Sequence, residues 1–293
     1  DGQDWTTEPF IATQKNARIY GRGAADMKGF IAVALALAPA LSQSTLQRPV
    51  YFAFTYDEET GCFGAQALAE VLRRMAHLPA CCIVGEPTNM QVVGGHKGKL
   101  SIDCHVHGAE CHSAYNDHGV NAVEIASEVI VRLRAMQKRL REDGPRNDLF
   151  DPPYSTVHTG LVRGGTARNI VPRDCRFEVE IRNLPEDDPI AMIQEIEAAT
   201  TRDLLPEMTR VSPDTGITFR VQSDIPALTP DTDSDLIRQA LLLTGSNRAG
   251  VVSFATEAGL YQRLDIQTIV CGPGDIAQAH RPDEFIALEQ LTR

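Results

Sequence analysis

Two short apolar runs in this chain each end on a carboxylate. Residues 50–56 (VYFAFTY) lead into Asp57, Glu58 and Glu59, and residues 80–84 (ACCIV) lead into Glu86. Continuous apolarity without alternation predicts parallel strands covered on both faces. A helix expected over about residues 64–74 separates them. Strand, acid, helix, strand, acid is the pattern of an α/β sheet, in which ligands sit beyond the carboxyl ends of the strands.

From His96 the periodicity changes. Leu100, Ile102, Cys104 and Val106 alternate with polar residues, as do Cys175, Phe177, Val179 and Ile181, which predicts strands with one wet face. Between them Ala126, Val129, Ile130, Leu133, Met136 and Leu140 fall on one helical stripe. A second helix is expected from Pro189 and a short strand over residues 217–221. This order predicts an inserted four-stranded antiparallel sheet with two helices on one face. After Ser223 the α/β pattern returns, with a helix near residues 234–243 and a strand over residues 268–271. The expected division is a discontinuous catalytic domain, 1–95 and 224–293, around an inserted α+β domain, 96–223.

The formal charge of −11 argues against a nucleic-acid partner or an anionic membrane surface, both of which need clustered Lys and Arg. The longest apolar run, residues 30–41, is interrupted by Pro39 and falls short of the roughly 20 residues that span a bilayer. Seven cysteines without a Cys-x-x-Cys spacing predict reduced thiols and a cytoplasmic location. Cys81 and Cys82 are read as buried strand.

Residues 21–29 (GRGAADMKG) place one acid, Asp26, in a glycine-lined turn that enters an apolar helix expected to be buried on all sides. Taken alone, Asp26 reads as a helix cap, residues 57–59 as a solvated loop and His280 as a surface turn. Together with residues 84–88 (VGEPT), 272–274 (GPG) and 279–284 (AHRPDE), in this order, they resemble the M20 family of dinuclear zinc amidohydrolases and peptidases along essentially the whole chain. Residues 119–124, 149–154, 164–172 and 255–260 narrow the resemblance to the acetylornithine deacetylase branch.

The resemblance implies a mixed-sheet zinc-peptidase catalytic domain with an inserted βαββαβ, ferredoxin-like lid used for dimerisation. It implies two divalent ions, zinc or cobalt, with Asp26 as the bridge, Glu59 and Glu86 as terminal ligands on different ions, and His280 on the ion held by Glu59. Glu58 is the candidate general base, since adjacent residues in extended backbone project to opposite sides and one then faces the water while the other binds metal. His112 resembles the lid histidine that stabilises a developing oxyanion; its other reading is a turn residue. Asn169 and Arg182 resemble substrate contacts, with Arg182 suited to a carboxylate or else an exposed strand arginine. Glu257 is a candidate for reading a substrate nitrogen. A cis peptide is expected at Asp26-Met27. His105 and His107 are read as a wet strand face in preference to a metal grip, and His77, His118 and His158 show no partner pattern.

Members of the family carry an earlier strand ending in His-x-Asp, whose histidine ligates the ion held by Glu86. This sequence begins after that point, so a fragment of a longer enzyme is expected. The expected reaction is deacetylation of N2-acetyl-L-ornithine to L-ornithine and acetate, in arginine biosynthesis, by a cytoplasmic homodimer acting on a small acylated amino acid. The alternatives are another acyl-amino-acid hydrolase of the family, a succinyl-diaminopimelate desuccinylase or an aminoacylase, or a non-catalytic truncated homologue.

Overall fold

The computed structural model describes residues 2–292. The fold is mixed α/β, and the elements follow one another as β1 (Thr13–Lys15), β2 (Arg18–Tyr20), α1 (Gly29–Ser42), α2 (Glu58–Gly61), α3 (Phe63–Leu72), β3 (Cys81–Val84), β4 (Val93–His96), β5 (Lys99–His107), α4 (Ala122–Asp143), β6 (Thr156–Gly164), β7 (Asp174–Arg182), α5 (Pro189–Asp203), α6 (Leu205–Val211), β8 (Gly216–Ile225), α7 (Asp235–Thr244), β9 (Gly250–Val252), α8 (Ala258–Gln262), β10 (Gln267–Val270), β11 (Phe285–Ala287) and α9 (Leu288–Leu291). Two compact units result. One comprises the chain up to Gly95, Leu228–Val251 and the chain from Thr256 onward; the other comprises His96–Ala227 and Val252–Ala255.

In the first unit β3, β10, β4 and β9 form a mixed sheet, with β10 parallel to β3 and antiparallel to β4. The strands β1, β2 and β11 form a small antiparallel sheet, in which Phe285 pairs with Tyr20. This pairing brings the segment after His280 onto the turn that carries Asp26. Val92, Ile237, Ala240, Ile269 and Cys271 form a core where α7 lies on the sheet.

Three expectations for this unit do not hold. Residues 50–56 belong to none of the three sheets, and Val50, Tyr51, Phe52, Phe54 and Tyr56 are exposed. An apolar run reports the chemistry a strand offers, while strand formation also needs a ladder partner for its N–H and C=O groups. Helix α1 buries only Gly29 fully, and Leu35 and Leu37 face solvent at 56% and 52% exposure. Cys81 and Ile83 are exposed on β3, so this strand is covered on one face only. The stretch Ala24–Ser42, 19 residues, is long and apolar enough by length and composition to cross a membrane, and no other helix among the described residues is. It exceeds the apolar run because it takes in the turn bearing Asp26 and Lys28.

The second unit is built on an antiparallel sheet in the order β6-β7-β5-β8. Strand β5 pairs with β7 from Leu100 opposite Ile181 to His107 opposite Asp174. The alternation puts Leu100, Ile102, Cys104 and Val106 into one core with Phe177, Val179 and Ile181 and with Ala126, Val129, Leu133 and Met136 of α4. Asn121 caps α4, its side-chain oxygen accepting from the N–H groups of Val123 and Glu124, and Asp188 caps α5 ahead of Pro189. Leu100, Val106, Val129 and Ile181 are all completely buried. The charged faces of the same strands stay wet.

Candidate metal centre

Asp26 sits in a turn whose backbone is held by one buried acid. Glu284 is 1% exposed. Its Oε2 accepts from the Gly23 N–H at 2.8 Å, and its Oε1 accepts from the N–H groups of Ala25 at 3.0 Å and Asp26 at 3.1 Å. The Arg22 guanidinium donates to the same carboxylate at 3.1 Å. Gly23 has φ of 77°, a left-handed conformation that favours glycine. The Asp26-Met27 peptide is cis, as the resemblance implies.

Glu58 and Glu59 open α2 after Asp57, which takes the left-handed conformation. They therefore diverge by the turn of a helix and not by the alternation of a strand. Glu58 is half-buried while Glu59 is exposed. His280, after the Gly272-Pro273-Gly274 turn, places Nε2 at 2.7 Å from Glu59 Oε1 and 3.4 Å from Asp26 Oδ2. The donor atoms of Asp26, Glu59 and His280 lie within 4.8 Å of one another. Glu86 follows β3 and is 6% exposed. Gly272 lets the end of β10 pass beside it, since a Cβ there would meet Gly85 O at 2.5 Å and Glu86 O at 2.7 Å.

The electrostatics are those of carboxylates with too few cations. Burial, then the charges of Glu59 and Asp26, push the Glu58 carboxyl up to about 7. Burial, with Asp26 and Glu58 next in weight, drives Glu86 well above the usual carboxylate range. Burial and Glu59 raise Asp26, which the His280 ring only partly offsets. His280 itself is pushed up, first by its hydrogen bond to Glu59. Buried acids that raise one another have the donor set a divalent ion needs, hard oxygens plus one imidazole, and its charge removes their repulsion. The residues present fit such ions.

Glu257 lies in the same field. Its carboxylate accepts from Thr55 Oγ1 at 2.8 Å and from the Tyr261 hydroxyl at 3.2 Å, and its charge raises both Glu58 and Glu86. His112, Asn169 and Arg182 belong to the other unit. There the Asn169 carbonyl accepts from the Ser113 N–H at 3.0 Å, which sets His112 and Asn169 on adjoining segments. His112 Nδ1 accepts from the Ala114 N–H, leaving Nε2 as the outward nitrogen. The Arg182 guanidinium is engaged by Glu180, at 2.7 and 3.2 Å.

Glu284 is the residue sequence reasoning missed as part of this centre. An acid inside a polar turn carries no signal of burial, and its four donors come from residues about 260 positions away.

Three carboxylates and a histidine gathered on a mixed α/β fold, Glu86 buried and Glu59 and His280 open to solvent, form a donor set suited to a metallo-amidohydrolase. The profile of peptidase family M20/M25/M40 matches residues 1–293, and the chain belongs to that family. It is 38% identical over 289 residues to acetylornithine deacetylase of Myxococcus xanthus, covering 98% of this chain and 72% of that protein. It is 36% identical over 286 residues to acetylornithine deacetylase of Erwinia tasmaniensis, with the same coverage of 98% and 72%. Among solved structures it resembles an M20 family metallo-carboxypeptidase from Sulfolobus solfataricus, with a TM-score of 0.67, 19% identity and coverage of 98% of this chain and 77% of that one. A tripeptidase from Staphylococcus aureus also gives 0.67, at 19% identity, covering 97% and 72%.

Proposed function

We propose that this chain carries the site of a deacetylase that converts N2-acetyl-L-ornithine to L-ornithine and acetate. The observation that carries the reading is Glu58, a half-buried carboxyl pushed up to about 7 beside the Asp26, Glu59 and His280 cluster. Two divalent ions, zinc or cobalt, would be held by Asp26 as the bridge, by Glu59 and His280 on one ion and by Glu86 on the other. When bound, they would polarise the amide carbonyl and acidify water.

Glu58 takes the proton of the attacking water and passes it to the leaving amine as the carbon–nitrogen bond breaks, so the carboxylate is regenerated in each turnover. The outward Nε2 of His112 stabilises the oxyanion that develops on the carbonyl. Asn169 and Arg182 contact the substrate, which requires Arg182 to share or exchange its Glu180 partner, and Glu257 reads a substrate nitrogen. Residues 96–223 act as a lid and as the surface of a homodimer, and the enzyme works in the cytoplasm in arginine biosynthesis. The acetylornithine deacetylase names of relatives at 34–38% identity support the choice of acyl group and amino acid.

Amine release from N2-acetyl-L-ornithine and from N-succinyl-diaminopimelate, measured side by side with zinc or cobalt present, tests the substrate. A faster acetyl reaction is expected; a strong succinyl preference overturns this assignment. Replacing Glu58→Gln is expected to lower turnover at least 100-fold with bound metal unchanged. Unchanged turnover removes Glu58 as the base.

A further inference from the structure

The second unit holds another group of metal-type donors. His105 and His107 stand two residues apart on the wet face of β5, and Asp174 opens β7 directly opposite His107. Asp174 Oδ1 lies 2.8 Å from His105 Nε2 and 3.0 Å from His107 Nδ1. The three donor atoms are within 4.8 Å of one another. All three side chains keep solvent access, at 25%, 42% and 42% exposure.

We propose that His105, His107 and Asp174 form a binding site for one divalent transition ion, zinc or copper(II), separate from the carboxylate centre. Two imidazoles and one carboxylate are the ligand types these ions prefer, and solvent supplies the remaining position. Bonds of about 2.0–2.1 Å in a tetrahedral site put donors roughly 3.3 Å apart. The two Asp174 contacts, at 2.8 and 3.0 Å, would lengthen by roughly 0.3–0.5 Å on that geometry, while the two ring nitrogens, which lie within 4.8 Å of one another, adjust to the same spacing.

The surroundings are organised for this. Arg173 Nε donates to Asp174 Oδ2 at 3.0 Å, which turns Oδ1 toward the two rings and makes the carboxylate a one-oxygen ligand. On the other flank Gly216 pairs with His107, and a Cβ built there would meet nothing within 4 Å. That flank is open for a water ligand. The β5 and β7 backbones, paired over eight residues, fix the three Cβ positions before any ion arrives. The charges of Arg173, just ahead of β7, and Arg176, on β7, lower the affinity, which selects for ions that bond imidazole strongly over magnesium or calcium.

The test uses the full chain carrying Glu59→Gln and Glu86→Gln, which disables the carboxylate centre. It is loaded with zinc alone, desalted and analysed for metal. One zinc per chain is expected, falling to none when either His107→Gln or Asp174→Asn is added with an unchanged far-ultraviolet circular dichroism spectrum. Equal zinc content with and without these changes overturns the proposal. A readout independent of substitution is the imidazole nitrogen spectrum of the unsubstituted chain. Zinc must move the His105 and His107 ring resonances, and rings that do not respond to zinc overturn the site as well.

Discussion

At the residue scale, the site is dominated by acids whose ionisation is opposed by their surroundings. Glu58 has its carboxyl raised from 4.5 to about 7, by burial first and then by Glu59 and Asp26. A carboxyl with a raised folded pKa contributes stability below its unfolded value, which is lost as pH rises through the folded value. In the metal-free chain Glu58→Gln is therefore expected to be more stable than the parent at pH 8, by roughly 1–3 kcal/mol once its partial exposure is allowed for. The gap should close toward pH 4.5. Urea titrations of both chains at pH 5 and pH 8 check this, and a gap that widens at low pH contradicts it. Glu284 is buried among backbone donors. Glu284→Gln sets an NH2 group against N–H groups of Gly23, Ala25 and Asp26, and is expected to cost roughly 1–3 kcal/mol and to weaken metal binding, as read by denaturant midpoint and metal titration.

At the element scale, close backbone approach places the ligands. Gly272, two residues past β10, lies against the Gly85 and Glu86 carbonyls, so Gly272→Ala forces the two segments apart. The expected cost is about 1–3 kcal/mol, with weaker metal binding because Glu86 is displaced; calorimetric metal titration of the variant measures it. Gly85 serves the same purpose toward α1, because a Cβ there would enter the Phe30 ring at 2.1 Å. The second unit uses such fits too, since a Cβ on Gly108 would meet Val120 O at 2.1 Å. Its sheet and helices share one continuous core, and the alternation along β5 and β7 matches the buried and wet faces residue for residue.

At the scale of the whole molecule, the first unit leaves an unusual amount of apolar surface in solvent. Leu35, Leu37, Val50, Tyr51, Phe52, Phe54, Tyr56 and Ile83 are all exposed. Residues 50–56 also carry backbone groups outside any sheet, and uncovered apolar segments of this kind drive association. Concentration-dependent self-association is expected in light scattering, and a double change Phe52→Lys and Phe54→Glu should reduce it without altering metal content. A chain that stays monomeric at high concentration contradicts this expectation.

The sequence by itself determined the class of fold, the two strands and the helix of the wet-faced sheet, the turn at Gly23 and the acid that follows β3, Glu86. These are local signals, since side-chain period and turn chemistry are written in neighbouring residues. It also carried the order of motifs that marks the family. What only the tertiary structure decided depends on partners far away in the chain. Residues 50–56 read as a covered strand because period reports composition and not the presence of a neighbour. The burial of Glu284, with its donors about 260 residues earlier, had no local trace. Neither did the meeting of Asp174 with His105 and His107, which strand pairing brings about across nearly 70 residues. Register and chain crossing are global properties, and they turn a scattered set of ordinary acids and histidines into sites.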